Sequence, residues 1–440
     1  MNIHVVQQSE TIYSIAEYYG VAVERLIIDN DLINHNHLVV GQAIVITYPE
    51  AMYTVKEGDT LYSIADSQSV SAMQLLRNNP FLSDRDYLYP GEELVVSYNT
   101  GRKVKTNGFV FPFISHDVLK KTLPSLTFLT IFNYTTTKEG EIITYGDDTI
   151  LIEMAKNYHT IPLMMISTLA IQGVPNIEAA YEVLLNERKQ DINIDLMINT
   201  IKTKGYYGIN LVLYFITESN QQLYESFIIK VSERFKREGY LFFLTVNPNI
   251  EYTDKEVTFR KVDYSIISQS VDDLTFMSFN WGGNYGPPMP VSSNYSIEVF
   301  LNYIINMVDP ERSNIGIPVI GYDWELPYRP GISKASSITI NSAISLALDM
   351  GSEIQFDEIS KTPFFEYSLY SFGMYEKHIV WFEDARTIDA LIKLIVDYNL
   401  SGSGIWNIMI FFAQLWLIIN SQFEVEKLLP ENQEGLSINL

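Results

Sequence analysis

Lys204-Gly205-Tyr206-Tyr207-Gly208-Ile209-Asn210-Leu211-Val212-Leu213-Tyr214-Phe215 ends in a short apolar run whose one amide side chain is Asn210. Alternation with period two puts Asn210, Val212 and Tyr214 on a single face of a strand. Similar β-branched and aromatic runs occupy residues 109–114, 126–134, 161–168, 241–248, 274–281, 315–324 and 404–408, with helical stretches between them. Short apolar runs alternating with helices predict parallel strands. Eight such units across residues 104–428 predict an α/β fold, a (β/α)8 TIM barrel. The long gap between the seventh and eighth runs leaves room for a small α+β insertion at about residues 327–382.

In front of the barrel the chain repeats itself. His4-Val5-Val6-Gln7-Gln8-Ser9-Glu10-Thr11-Ile12-Tyr13-Ser14-Ile15-Ala16 returns as Tyr53-Thr54-Val55-Lys56-Glu57-Gly58-Asp59-Thr60-Leu61-Tyr62-Ser63-Ile64-Ala65. Each copy continues into a second helical stretch and closes with a turn and a strand, which predicts two βααβ units at residues 1–48 and 51–99. A polar linker, Thr100-Gly101-Arg102-Lys103, follows. With its Gly-Asp-Thr-Leu-Tyr-Ser-Ile-Ala core, the second copy resembles a LysM domain. That resemblance implies binding of N-acetylglucosamine chains, in peptidoglycan or chitin, in a groove between two loops. It assigns Gly58, Asp59, Thr60 and Leu61 to one loop and residues 82–89, with Leu82 and Leu88, to the other. In the first copy the matching positions are Ser9, Glu10, Thr11 and Ile12, with residues 33–38. Ser9-Glu10 stands where Gly-Asp is usual, so a weaker turn and weaker binding are expected there. The same residues also suit a purely structural task, fixing the turn and capping the first helix. Two weak modules in tandem gain by avidity.

The barrel resembles glycoside hydrolase family 18, and among its members the bacterial spore cortex-lytic N-acetylglucosaminidases that carry LysM domains. The match runs through Thr122-Leu123-Pro124-Ser125-Leu126-Thr127, Gly286-Pro287-Pro288-Met289, Gly316-Ile317-Pro318-Val319-Ile320-Gly321-Tyr322-Asp323-Trp324, Val380-Trp381-Phe382-Glu383-Asp384-Ala385-Arg386 and Gln414-Leu415-Trp416-Leu417. The family's fourth strand reads D-x-x-D-x-D-x-E. Its final Glu protonates the leaving sugar oxygen, and its last Asp holds the N-acetyl group, which itself attacks the anomeric carbon. Here those four positions are Tyr207, Asn210, Val212 and Tyr214. A phenol with pKa near ~10 is no substitute for a carboxylic acid tuned toward neutrality, and valine exchanges no proton. Phe279 and Asn280 likewise stand where the family shows a tyrosine and an acid on the sixth strand. Two carboxyls near the expected mouth, Glu218 and Asp323, are candidates for a substitute acid. The resemblance further implies a sugar-binding mouth built from Asn210, Tyr214, Asn280, Trp281, Tyr322, Asp323, Trp324 and Trp406, with Trp406 as the floor; Tyr285 adds a further aromatic ring there.

Bulk composition agrees with a packed, neutral-ligand protein. Apolar residues make up 47% of the 440 and aromatic ones 13%, which argues against disorder. Fifty-three acidic against 30 basic residues give a net charge of −23, unfavourable for nucleic acid and for anionic membranes. Without cysteine there is no disulfide and no thiolate metal site. His35 and His37 form a pair with no third ligand in view, and the Gly282–Gly283 loop lacks the Lys and Ser/Thr of a phosphate cradle. No metal and no cofactor are expected. The apolar stretch at residues 405–419 is shorter than a membrane span. The N-terminus has no basic and apolar leader, so the expectation is synthesis in the cytoplasm without a signal peptide; the family resemblance implies residence in the spore cortex or coat. The two resemblances therefore imply a glycan-binding protein with an inactive barrel, whose partners are peptidoglycan or N-acetylglucosamine oligomers and other coat proteins. The alternatives are an N-acetylglucosaminidase with an altered acid, and a structural coat protein. Residues 429–440 read as a tail.

Overall fold

The structure, a computed structural model, describes residues 1–85, 87–168, 176–252, 256–279, 284–371 and 373–429. Each N-terminal repeat is a strand, two helices and a strand. The first comprises Asn2–Val5, Ile12–Tyr19, Val23–Asn30 and Ala43–Ile46, and the second Ala51–Thr54, Leu61–Gln68, Ala72–Asn78 and Glu93–Ser97. In each, the outer strands pair antiparallel. Local chemistry sets the helix starts. Thr11 and Ser14 form a capping box at the first helix, and Thr60 and Ser63 form the same one in the second copy. A buried asparagine ties each second helix to the closing strand: Asn30 Nδ2 donates to the Leu26 and Val45 carbonyls, and Asn79 Nδ2 to those of Leu75 and Val95.

The barrel strands are Arg102–Val110, Phe128–Thr136, Ile161–Ser167, Gly208–Leu213, Leu241–Val246, Asp273–Phe276, Ser313–Pro318 and Gly402–Trp406. All neighbours run parallel, and pairing of the first strand with both the second and the eighth closes the cylinder. Strand ends depart from the apolar runs, the sixth strand ending already at Phe276, and at two strands the cause is plain. The first begins at Arg102, because Arg102, Lys103, Lys105, Thr106 and Asn107 carry no apolar signal. The seventh ends at Pro318, which has no N–H for a further ladder bond. The chain then enters a separate antiparallel sheet through Gly321–Leu326, joined by Ser336–Ile338, Met374–Phe382, Thr362–Ser371 and Gln355–Asp357, with helix Ile340–Met350 beside it. Tyr322, Asp323 and Trp324 thus belong to this insertion and not to the barrel wall.

The barrel interior is stratified. Phe128, Ile161, Leu163 and Phe243 fill the floor. Asn107, Thr130, Asn210 and Thr245 form a hydrogen-bonded belt above it. Phe109, Phe132, Met165, Val212, Met277 and Phe279 make an apolar upper layer. From below, the Lys427 ammonium closes the floor by donating to the carbonyls of Leu123, Leu126 and Tyr158 and to Thr160 Oγ1 at 2.5–3.1 Å.

The repeats are docked on the barrel. Helix Ala413–Gln422 sends Gln414 Nε2 to Asn30 Oδ1 (3.0 Å) and the Ala43 carbonyl (2.8 Å), and Asn420 Nδ2 to the Arg77 carbonyl (3.0 Å). The Val40-Gly41 turn of the first repeat abuts the insertion so closely that a Cβ on Gly41 would lie 1.9 Å from the Ile354 carbonyl oxygen. Its counterpart in the second repeat, Gly91, has nothing within 4 Å of that position.

Candidate functional site at the barrel mouth

The fourth strand delivers its alternating face into the barrel axis. Asn210 is fully buried; its Oδ1 accepts from Thr245 Oγ1 at 2.8 Å and its Nδ2 donates to Thr130 Oγ1 at 3.4 Å. Thr130 passes the network on to Asn107 Oδ1 at 2.8 Å. Every member of this belt is neutral, so it orders the interior without placing a charge in it. One step up, Val212 is 3% exposed and packs with Phe109, Phe132, Met165, Met277 and Phe279. Tyr214 packs against the same cluster from above, and its carbonyl accepts from the Arg260 guanidinium. Burial pushes the Tyr214 phenol well above its ordinary value, so it holds its proton throughout the neutral range. Tyr207 precedes the strand, is partly exposed, and lies under the Lys156 ammonium at 5.8 Å.

Aromatic rings climb from this cluster to the surface. Trp406 contacts Phe109 and Phe111 at centroid distances of 5.8 and 6.0 Å. Phe111 meets Phe132 at 5.0 Å and stacks on Phe113 at 5.5 Å, and Phe113 is 70% exposed. Phe111 and Phe113 escaped the reading of site residues, although they continue the period-two face of Phe109 through the run at residues 109–114.

The two carboxyls considered as substitute acids are placed elsewhere. Glu218 is exposed beyond the fourth strand, near the outer helix Asn294–Ile304, where burial first, and then the charges of Asp263 and Glu218, raise the Tyr303 phenol. Asp323 lies within the insertion sheet, accepting from Tyr367 Oη at 2.6 Å and facing His378 Nδ1 at 3.0 Å, with those two rings stacked at 4.7 Å. Two ring surfaces expected at the mouth must also be corrected. Tyr322 and Trp324 are 5% and 1% exposed, packed with Val291 and Ala335, and the Trp324 indole N–H donates to the Gly286 carbonyl at 3.1 Å. Neither has a face to offer a sugar, because the insertion sheet needs both as its own core. Tyr285 stays 61% exposed beneath the Lys334 ammonium. Asn280 and Trp281 lie outside the described residues. A buried carboxyl that is titrated by its surroundings is found instead at Glu383, where burial raises the pKa to about 8 while the Ser292 N–H and hydroxyl donate to Oε1 at 3.1 and 2.9 Å.

In the repeats, the loop residues hold their own turns. Asp59 accepts from the Lys56 N–H at 2.7 Å and Tyr53 Oη at 2.9 Å. Glu10 accepts from the Gln7 N–H at 2.7 Å and contacts His4 Nε2 at 2.7 Å. Glu10 and His4 therefore reproduce the Asp59 and Tyr53 bracket with one methylene more on the acid. Ser9 adopts φ 69° where Gly58 has φ 86°. Thr11 and Thr60 are the helix caps, and Ile12, Leu61 and Leu82 are buried in the module cores. The outward surface comes from Tyr87 and Tyr89, about half exposed, flanking the partly buried Leu88, and from Ile33 in the first copy. Among the described residues, no group of three or more acidic, His or Cys side chains is placed to hold a metal ion, and no helix is long and apolar enough to cross a membrane.

Comparison with known proteins agrees with this geometry. The profile of glycosyl hydrolases family 18 matches residues 115–409, and that of the LysM domain matches residues 4–47 and 53–97. The chain is similar to the cortical fragment-lytic enzyme of Bacillus subtilis, 29% identical over 433 residues, covering 97% of this chain and 99% of the relative. Its fold matches the crystal structure of the spore cortex-lytic enzyme SleL of Bacillus megaterium with a TM-score of 0.78 and 28% identity, over 97% of this chain and 98% of the other. A chitinase from Chromobacterium violaceum shares the fold alone, at 18% identity and a TM-score of 0.64 over 72% of this chain and 98% of the other. The chain belongs to glycosyl hydrolase family 18, with two LysM domains ahead of its barrel.

Proposed function

We propose that this protein binds peptidoglycan, or other chains of N-acetylglucosamine, and that its barrel does not hydrolyse them. The observation that carries this reading is the inward face of the fourth strand, where Val212 and Tyr214 sit in an apolar cluster at the family's orienting and acid positions. A positioned general acid contributes ~10²–10⁴ in rate, and neither an aliphatic chain nor a phenol held protonated supplies it. Residence in the spore cortex or coat fits the relatives, whose names place them on cortex material. The test is release of N-acetylglucosamine from peptidoglycan fragments and from aryl glucosaminides. No release above background is expected. Turnover within tenfold of an ordinary family member, abolished by Glu218→Gln, would overturn the reading in favour of a relocated acid.

Glycan retention is assigned mainly to the repeats, the second more than the first. Tyr87 and Tyr89 give the second copy two exposed rings whose hydroxyls meet at 3.0 Å, whereas Ile33 is the exposed apolar side chain in the matching loop of the first. Full-length protein carrying Tyr87→Ala and Tyr89→Ala should lose most of its retention on insoluble peptidoglycan. Ile33→Ala should lose less. The reverse ranking would transfer the main site to the first copy.

A further inference from the structure

Beside the sixth strand, on the side to which Ser278 turns, lies a cavity of about 260 Å³ between residues 289–296 and the insertion, with Phe279 of the upper barrel layer at its edge. Met277 and Phe279 face the barrel cluster, and Ser278 between them lines the cavity. The Ser278 hydroxyl is buried, 3% exposed as a residue, and has no hydrogen-bond partner among the described residues. Such a group is unfavourable unless a ligand completes it. Across the cavity stands Trp381. Phe364 stacks on that indole at 4.5 Å and 27° but does not line the cavity, so the ring is braced from one side and presented on the other. Asp357 is held by the Ser360 N–H and hydroxyl, both donating to Oδ1 at 2.7 Å, which leaves Oδ2 as an acceptor. It is the one charged side chain among the described residues lining the cavity, so an anionic ligand is disfavoured. Met289 and Val291 complete an apolar end beside Phe279.

We propose that this cavity binds a single neutral hexopyranose bearing a small acyl group, an N-acetylhexosamine unit, at a site separate from the barrel axis. The aromatic face takes the C–H face of the ring, Asp357 and Ser278 take hydroxyls, and the apolar end takes the acyl methyl. The volume lies below the ~300 Å³ where pockets for larger ligands begin, which selects one ring over a chain. This inference rests on the glycan-binding reading above and names a second place where that ligand is held.

The experiment is titration of full-length protein with methyl β-N-acetylglucosaminide, followed by ligand-observed NMR, next to retention on insoluble peptidoglycan. The wild type should bind the monosaccharide, and Trp381→Ala should weaken it at least tenfold. Ser278→Val and Asp357→Asn, which leave the Trp381 packing in place, should each weaken it several-fold. Retention on the polymer should stay unchanged in all three, because the repeats are untouched. Methyl β-glucoside, lacking the acyl group, should bind at least tenfold more weakly than the acetamido sugar. Monosaccharide binding that is absent, or indifferent to Ser278→Val and Asp357→Asn, overturns the cavity site while polymer retention upholds the general reading. Equal affinity for the two sugars overturns the acyl assignment. Loss of polymer retention by the wild type overturns the underlying reading instead.

Discussion

The repeats and the barrel mouth answer the same question in opposite ways. In the second repeat the family's loop residues are present and in the first partly so, yet Asp59, Glu10, Thr11 and Thr60 direct their hydrogen bonds to turns and helix caps. At the mouth the strand keeps its register and inward face, but Val212 and Tyr214 have no carboxylate to present. The first region shows matching residues engaged by the fold; the second shows an inward strand face that carries other residues than the family motif. Sequence agreement with a functional motif and geometric agreement with a functional site are therefore separate observations.

The largest effect expected comes from reversing the loss. Val212→Asp with Tyr214→Glu should raise aryl glucosaminide hydrolysis by ~10²–10⁴ over the parent, with either change alone giving almost nothing, since acid and orienter act as a unit. Adding Phe279→Tyr should raise it further. The double variant will also lose stability, because Val212→Asp places a carboxyl in an apolar layer. If the double variant folds and stays inert, the mouth differs from an active one by more than these side chains.

A second test contrasts the carboxyls the fourth strand lacks with one the barrel retains. The folded pKa of Glu383 is about 8 against an ordinary 4.5, so the folded protein keeps a proton the unfolded chain has lost between those values. Its stabilising contribution is then complete below about pH 4.5 and falls away as pH rises toward 8. Glu383→Gln should flatten that decline by on the order of 1–3 kcal/mol in urea titrations at pH 5 and 8.5. Asp273, raised to about 7, contributes with the same sign and keeps some slope in the variant. An unchanged slope would mean that Glu383 is ionised when folded.

The smallest effect lies in the turn that distinguishes the two repeats. Ser9→Gly should stabilise the protein by about 0.5–1 kcal/mol, because Ser9 holds φ 69° where the second copy uses glycine. Gly58→Ser should cost a similar amount. Destabilisation by Ser9→Gly would show that the Ser9 side chain contributes more than its backbone strain costs.

Much of this was readable from sequence because periodicity and turn chemistry are local. The βααβ repeats follow from capping residues and internal similarity, and the barrel from eight apolar runs. The first strand is longer than its apolar run because Asn107 joins the polar interior belt and Thr106, on the opposite face, bonds the Ser125 carbonyl, and polar strand residues look like loop. Tyr322 and Trp324 were misplaced for the converse reason: the run at residues 315–324 is continuous in hydropathy but changes sheets after Pro318. Aromatic type alone does not tell a sugar platform from the core of an inserted sheet. The cavity behind Ser278 had no sequence signal, since it joins residues from the sixth strand and the insertion that only the fold brings together.

The contact between Gln414 and Asn30 bridges 384 positions of chain. At ~5–20 residues per second, a ribosome needs roughly 20–80 s to make the second partner after the first. For that interval the first repeat exists without the helix whose Gln414 adds a bond to Asn30 and Ala43, and the carbonyls of Leu123, Leu126 and Tyr158 lack the Lys427 ammonium. These contacts of the first repeat and the barrel floor are therefore among the last to become available during synthesis. A chain truncated before Gln414 would carry both repeats and all eight barrel strands, and would still leave the Asn30–Ala43 surface without its helix.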